Sequence, residues 1–417
     1  MTEAAPAGWT RFGPSLDAIE AAREVVESVI KVTPMESSRV LSEQLGSPVH
    51  LKLESLQRTG SYKIRGAFHR ISRLTSEERA RGVVAASAGN HAQGVALAAR
   101  ELGIEATIFM PVAVALPKLQ ATKDYGASVV LRGHTIEDPL RAAAEYAEQT
   151  GAIFIPPFDH EDIITGQATL GLEILDQVPD VDTVLVPIGG GGLIGGVASA
   201  VKQVAERQGR SIRVIGVQSA NAASAVASLE AGQPVTIRST PTIADGIAVA
   251  RTGDLNFALI KELVDDIVTV TDDETSSAMI FLLERAKVVV EPAGAVAVAA
   301  ILTGKVANTG TTVAILSGGN IDPLVMERVI AQGLAASDRF LKLRIKLPDR
   351  PGQLARISAL ISEVNANVIE VLHTRHGKGA LLNDVELEVS LETRGPDHVQ
   401  RVLERLREAE YDPRIDF

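Results

Sequence analysis

Lys63 lies in the stretch Thr59-Gly60-Ser61-Tyr62-Lys63-Ile64-Arg65-Gly66-Ala67. This spacing puts an amine in the first turn of a helix, just behind a Gly-Ser turn, with Ser61 placed to cap the helix by accepting from a first-turn amide. The positive end of the helix and nearby Arg65 would both disfavour an ammonium at this position. A lysine held toward its neutral amine forms Schiff bases. An ordinary surface lysine at a helix start has the same local sequence, so the meaning of Lys63 depends on the rest of the chain.

Three further stretches carry chemistry. Ser87-Ala88-Gly89-Asn90-His91-Ala92-Gln93-Gly94 sits between a strand end and a helix start, where small residues leave backbone amides open to a carboxylate. Asn90 adds an amide donor for a polar ring substituent. His91 has the chemistry of a base, although a lone histidine at a helix start usually serves structure. Gly189-Gly190-Gly191-Gly192-Leu193-Ile194-Gly195-Gly196 follows a strand and precedes a helix, so successive amides can cup a phosphate at the helix end. A dinucleotide reading wants an acidic residue after the next strand, which ends Gly216-Val217-Gln218, and the Gly-Lys-Ser/Thr of a P-loop is missing. Ser317-Gly318-Gly319-Asn320 again follows a strand and offers a hydroxyl to a ring nitrogen. A reactive lysine, an amide turn, a phosphate cup and a ring-nitrogen partner are together the handles of pyridoxal 5'-phosphate.

These groups are positioned by a repeating alternation of short β-branched runs and alanine-rich helices. Strands are expected at 49–53, 82–86, 106–110, 128–131, 152–157, 183–188, 213–217, 266–270 and 312–316, with helices at 17–32, 63–74, 90–102, 118–125, 136–149 and 165–177 and another after the glycines. That grammar means parallel βαβ units and an α/β sheet. The composition (417 residues, 46% hydrophobic, 22% charged) is globular, and the net charge of −11 argues against nucleic acid or an anionic membrane surface as partner. With no cysteine, disulfides and thiolate sites are excluded. The beginning of the sequence has no leader pattern, and the most apolar segment, 288–302, contains Glu291 and Pro292 and is too short to span a bilayer. A cytoplasmic protein is the expectation.

Composition changes at 333–338, read as a linker. Beyond it an alternating strand at 340–347, a helix carrying Leu354, Ile357, Leu360, Ile361 and Val364, strands at 368–372 and 384–391, a helix with Val399, Val402, Leu403 and Leu406, and a short strand at 414–417 spell βαββαβ. Lys342, Arg344 and Lys346 read as a solvated or intersubunit face of that sheet.

The lysine stretch, residues 87–94, the glycine run and residues 317–320 resemble the threonine dehydratase (threonine ammonia-lyase) family, and the segment after 338 resembles an ACT domain. The resemblance implies a two-lobed, open parallel-sheet catalytic domain of tryptophan-synthase-β-like fold over 1–335, with a smaller lobe at roughly 75–156 inserted in the larger, and an ACT regulatory domain over 338–417. It implies an imine at Lys63, phosphate amides at Gly189, Gly190, Gly191, Gly192 and Leu193, ring contacts from Asn90 and Ser317, and the substrate carboxylate on the amides of Ser87, Ala88, Gly89, Asn90 and His91. Lys63 would then remove the α-proton of threonine, the β-hydroxyl would leave, and hydrolysis would give 2-oxobutanoate and ammonia. Serine racemases of this family carry a serine where this chain has Ala88, which favours dehydration over racemisation. Serine remains open as a substrate, as does a catalytically dead amino-acid sensor that keeps its ACT module.

Relatives that bind a divalent cation use acidic residues where this chain reads Gln218-Ser219-Ala220-Asn221-Ala222-Ala223-Ser224, so no metal is expected there, and His373-x-x-His376 is not read as zinc. Gly352, Leu354 and Asn367 match places where ACT domains hold an amino acid. A branched-chain effector, isoleucine with valine opposing it, and a homodimer or homotetramer joined partly through this domain are therefore expected.

Overall fold

The computed structural model describes residues 8–374 and 384–416, and the chain divides into two compact units, 1–325 and 326–417. In the first, a six-stranded sheet has the order Asp266–Val270, Arg213–Ser219, Thr183–Pro187, Thr312–Ile315, Val49–Lys52, Met35–Ser37. Every pairing is parallel except that of the last two strands. Its central strands are apolar on both faces, with Val184, Leu185, Val186, Val313, Ala314 and Ile315 all buried, as a sheet covered by helices on both sides requires. A second sheet of four parallel strands, Ser128–Leu131, Ala106–Met110, Val83–Ala86 and Ile153–Phe154, forms the smaller lobe.

The helix Lys63–Ser72 joins the lobes. It packs on Asn90–Glu101 of the smaller lobe and on Glu161–Gln177 of the larger, burying Ile64, Ala67, Phe68 and Ile71. Lys63 therefore starts a helix that lies along the seam.

Two elements stop at least three residues short of their expected ends. The strand anticipated across 152–157 stops at Phe154, because Pro156 and Pro157 bring no N–H to a ladder. The first helix is Leu16–Val26 and does not reach 32. The amides of Val29 and Ile30 both turn back to the Val26 carbonyl, at 2.9 and 3.0 Å, and the chain leaves the helix so that Thr33 can enter the buried ionic cluster described below.

The helix Pro323–Ala336 begins at the end of the first unit and runs through most of the segment read as a linker, since Leu334, Ala335 and Ala336 favour helix. The βαββαβ order follows as Phe340–Pro348, Gln353–Glu363, Asn367–Thr374, Asp384–Glu392, Pro396–Glu408 and Pro413–Ile415, in an antiparallel sheet. Leu341, Leu343, Ile345 and Leu347 face inward against Ile357, Leu360, Val402 and Leu406. On the outer face Lys342 pairs with Glu388 and Arg344 with Asp416 at 2.9 Å, so these two basic residues find their counter-charges within the second unit. The glycine turn expected at 376–379 lies outside the described residues.

Candidate active site

The chemistry-bearing turns gather where the parallel strands of both sheets end, the crevice in which open α/β sheets bind ligands. The lysine loop and the Ser317 loop are joined through backbone. Ser61 forms an antiparallel bridge with Gly318, the Tyr62 amide donates to the Ser317 carbonyl at 3.1 Å, and the Gly319 amide to that of Gly60 at 2.8 Å.

Lys63 Nζ donates to the Pro157 carbonyl at 2.8 Å and lies 5.3 Å from the centre of the Tyr62 ring. Burial pushes its ammonium down to about 8, while the Glu291 carboxylate pulls the other way. This corrects two parts of the sequence argument. Tyr62, not Ser61, is the helix cap and makes no side-chain capping bond, and the buried Ser61 hydroxyl has no hydrogen-bond partner among the described residues. The Arg65 guanidinium points away, into Glu54 and Glu173. Desolvation, not repulsion from Arg65, makes the amine available.

Glu291 is a site residue that the sequence reading passed over. It is buried at 3% exposure at the head of the helix Pro292–Leu302 and accepts from Asn90 Nδ2 at 2.6 Å. Burial first, and then the nearby Asp245 carboxylate, push its carboxyl up to about 7, against Lys118 and the hydrogen bonds from Asn90 and Asn320. The signal was a charged residue inside the most apolar segment of the chain. Because the folded protein holds this proton more tightly than the unfolded chain, stability contributed by the neutral acid is lost as pH rises from the ordinary 4.5 to about 7, a fall of about 3 kcal/mol for a fully buried group. Glu291→Gln should remove that contribution, read in the cofactor-free protein as a denaturant midpoint that changes more favourably from pH 5 to pH 8 than the parent's, since the buried neutral His91 still favours the higher pH.

Asn90 is held on both sides. Its Oδ1 accepts from Asn320 Nδ2 at 2.8 Å, and Asn320 Nδ2 also donates to the Thr59 carbonyl at 2.6 Å. Nδ2 of Asn90 keeps a second N–H beyond the one given to Glu291. The turn before it starts the helix Asn90–Glu101 with Gly89 as cap and no side-chain capping bond, although the Ser87 hydroxyl takes the Gly89 amide at 3.1 Å. His91 donates from Nε2 to the Ile155 carbonyl at 2.9 Å. Burial, and then the charge on Lys63, drive it down to about 3, so its ring is neutral and structural and only its amide belongs to the turn.

The glycine run behaves as a cradle. The helix Gly192–Arg207 begins with Gly191 at φ +99° and no side-chain cap, leaving first-turn amides for an anion. A Cβ on Gly190 would fall 2.4 Å from the Phe158 ring, and one on Gly191 would fall 2.7 Å from Asn256 Cβ. Neither Phe158 nor Asn256, whose Nδ2 donates to the Gly190 carbonyl at 3.0 Å, was visible from sequence. Gly190→Ala should weaken cofactor binding by at least about tenfold, since a shift of the cup by part of an ångström costs charge-assisted hydrogen bonds. Titrating cofactor into the cofactor-free variant measures this. Ser317 is buried, and among the described residues its hydroxyl makes only a 3.5 Å contact, to the Ala293 carbonyl, which leaves it available to a ring nitrogen. An uncapped glycine cradle, a desolvated lysine and a free hydroxyl at the end of the neighbouring strand fit pyridoxal phosphate.

In the second unit a cavity of about 220 Å³ is lined by residues that include Pro348, Gly352, Leu354, His373 and Val385. Gly352, at φ +91°, caps the helix Gln353–Glu363, and Leu354 is 42% exposed. Asn367 does not line this cavity; it donates from Nδ2 to Glu392 at 3.4 Å. Among the described residues no group of three or more histidines and carboxylates is arranged to hold a metal ion, and His376 lies outside them. No described helix is long and apolar enough to cross a membrane.

This site defines a lysine-based pyridoxal phosphate enzyme, and the comparisons agree. Residues 26–318 match the family described as pyridoxal-phosphate dependent enzyme, and residues 342–410 match the ACT domain. The chain is 46% identical over 402 residues to an L-threonine ammonia-lyase of Thermotoga maritima, covering 96% of this chain and 99% of that protein. Among solved structures, threonine deaminase isoform 2 from Solanum lycopersicum has a TM-score of 0.71 at 39% identity, covering 77% of this chain and 89% of that one. Maize serine racemase has a TM-score of 0.71 at 37% identity, covering 77% and 98%. The chain belongs to the pyridoxal-phosphate-dependent enzyme family and carries an ACT domain behind its catalytic unit.

Proposed function

We propose that this chain is a threonine ammonia-lyase that converts L-threonine to 2-oxobutanoate and ammonia in the cytoplasm, serves isoleucine biosynthesis and is regulated through its ACT domain. The observation that carries the reading is the backbone stitching of the Lys63 and Ser317 loops opposite the Asn90–Glu291 pair, supported by similarity to threonine ammonia-lyases along nearly the whole chain. Bound pyridoxal phosphate supplies an electron sink for the bond from Cα to hydrogen. The residues of the chain do the rest. Gly189 to Leu193 hold the phosphate on uncapped amides, Ser317 gives the ring nitrogen a hydrogen bond without protonating it, and Asn90 directs its second N–H to the ring hydroxyl.

The Ser87–His91 turn takes the substrate carboxylate. Lys63 would hold the cofactor, and its amine, disfavoured as an ammonium by burial, would remove the α-proton once released. Glu291, its carboxyl pushed up to about 7 and so poised between its two protonation states at neutral pH, keeps or gives up a proton beside Asn90. Ala88 places no hydroxyl in the turn, so proton transfer stays with the lysine and elimination is preferred to racemisation. Lys63 within a complete constellation speaks against a dead sensor. Leu354 and the cavity beside it would take a branched-chain side chain, and the sheet of the second unit would pair with another copy to give a dimer or tetramer.

The test is ketoacid release from threonine and from serine, each with and without isoleucine or valine. Faster release from threonine that isoleucine suppresses is expected. A preference for serine removes the substrate assignment, and curves unmoved by either effector remove the regulatory one.

A further inference from the structure

Lys118 is a half-buried cation that the proposed chemistry does not use. It belongs to the helix Leu116–Asp124 of the smaller lobe, its side chain is 15% exposed, and its Nζ reaches Asp245 Oδ2 at 2.8 Å. Asp245 begins the short helical turn Asp245–Ile247 of the larger lobe, so the pair spans the two lobes. It does so directly over the site. A Cβ on Gly89 would lie 3.9 Å from Lys118 Nζ, and one on Gly246 would lie 3.5 Å from Glu291 Oε1.

The carboxylate turn brings no cation of its own, because Ser87 to Gly94 contain neither lysine nor arginine and His91 is neutral. A substrate carboxylate held there on amides alone would keep most of its charge uncompensated in a partly desolvated cleft. Asp245, by contrast, is 63% exposed, and a carboxylate in that position gives up an ion pair at little cost.

We propose that Lys118 is a substrate-positioning residue that exchanges the Asp245 carboxylate for the α-carboxylate of the bound amino acid. In the empty enzyme Asp245 holds the ammonium over the Gly89 turn and competes with the incoming anion. In the occupied enzyme Lys118 donates a charge-assisted hydrogen bond to the carboxylate, beside those from the turn amides, and so selects amino acids over amines. The inference rests on the reading that the Ser87–His91 turn receives the carboxylate.

Equilibrium binding to the holoenzyme, followed by the absorbance of its cofactor, tests this with L-2-aminobutanoate, which has no β-leaving group, and with 1-aminopropane, the same molecule without its carboxylate. Lys118→Met should weaken aminobutanoate by about tenfold to a hundredfold and leave the amine unchanged, and Lys118→Arg should restore most of the loss. Asp245→Asn should tighten aminobutanoate several-fold by removing the competitor, the reverse of what a clasp holding the lobes together would give. A preference for the acid that survives Lys118→Met, or an Asp245→Asn variant that binds acid and amine equally poorly, overturns the assignment to Lys118. Equal affinity of the unaltered enzyme for acid and amine overturns the carboxylate reading of the turn, and the Lys118 inference with it.

Discussion

Lys63→Ala should lower ketoacid formation by about ten-thousandfold, the upper range for removing a positioned proton-transfer group, and should also abolish the covalent attachment of the cofactor. The effect should be confined to chemistry. Among the described residues Lys63 Nζ makes a single hydrogen bond, to the Pro157 carbonyl, and its side chain belongs to none of the apolar clusters. The methyl of alanine also favours the first turn of the helix Lys63–Ser72. Unfolding midpoints should therefore stay near those of the parent. Removing an ammonium that burial disfavours relieves desolvation, which makes a small gain in stability below pH 8 the expected sign. The cofactor would still enter, on the glycine cradle and Ser317, but without an imine absorbance. Retention of that absorbance, or of more than about a hundredth of the activity, would mean that another amine does the work and that the constellation has been misassigned.

How much of this was legible in the chain depended on whether a residue acts through its neighbours in sequence or through distant ones. The glycine run, the Ser87–His91 turn and Ser317 each follow a β-branched strand, so local pattern alone put them at strand ends, where an α/β sheet binds ligands. The βαββαβ order of the second unit was legible for the same reason: Leu341, Leu343, Ile345 and Leu347 alternate with charges that pair across the outer face.

What local pattern hid were contacts between segments far apart in sequence. Glu291 is 201 positions from Asn90, Asp245 is 127 from Lys118, and Phe158 closes over Gly190 from a loop that follows two prolines. Arg65 was misread because sequence adjacency to Lys63 looked like electrostatic proximity. Two positions along a helix point away from each other, and the guanidinium is claimed by partners on other elements. Asn367 stands beside Glu392, a pairing across strands that local pattern does not reveal.

Arg65→Met should be the most destabilising single change near the site, costing about 3–5 kcal/mol, through a mechanism separate from catalysis. Arg65 is fully buried. It donates from Nε and Nη2 to both oxygens of Glu54, each at 2.8 Å, and from Nη2 to Glu173 Oε2 at 2.8 Å. Lys52 Nζ completes the cluster, bonding Glu173 Oε1, the Gln177 side chain at 2.7 Å and the Thr33 carbonyl at 2.8 Å. Two cations thus balance two carboxylates in the interior. Burial opposes charge on both Arg65 and Glu173, yet their mutual attraction prevails, and Arg65 is held more strongly protonated and Glu173 more strongly ionised than usual. Methionine fills much of the volume but leaves one negative charge uncompensated, which is far costlier than replacing the whole cluster with apolar groups. A double variant, Arg65→Met with Glu54→Gln, restores neutrality and should recover a substantial part of the loss, whereas Arg65→Lys, unable to reach both carboxylates in a planar fork, should recover less. Denaturant unfolding of these variants separates charge imbalance from lost volume: equal destabilisation of single and double variants would show that packing alone was at stake. Because the cluster ties strand Val49–Lys52, the Glu54–Leu56 turn and the helix Glu161–Gln177 to the helix that begins at Lys63, its partial rescue should restore cofactor attachment in parallel with stability, which identifies the ion cluster as the support that fixes where the reactive amine stands.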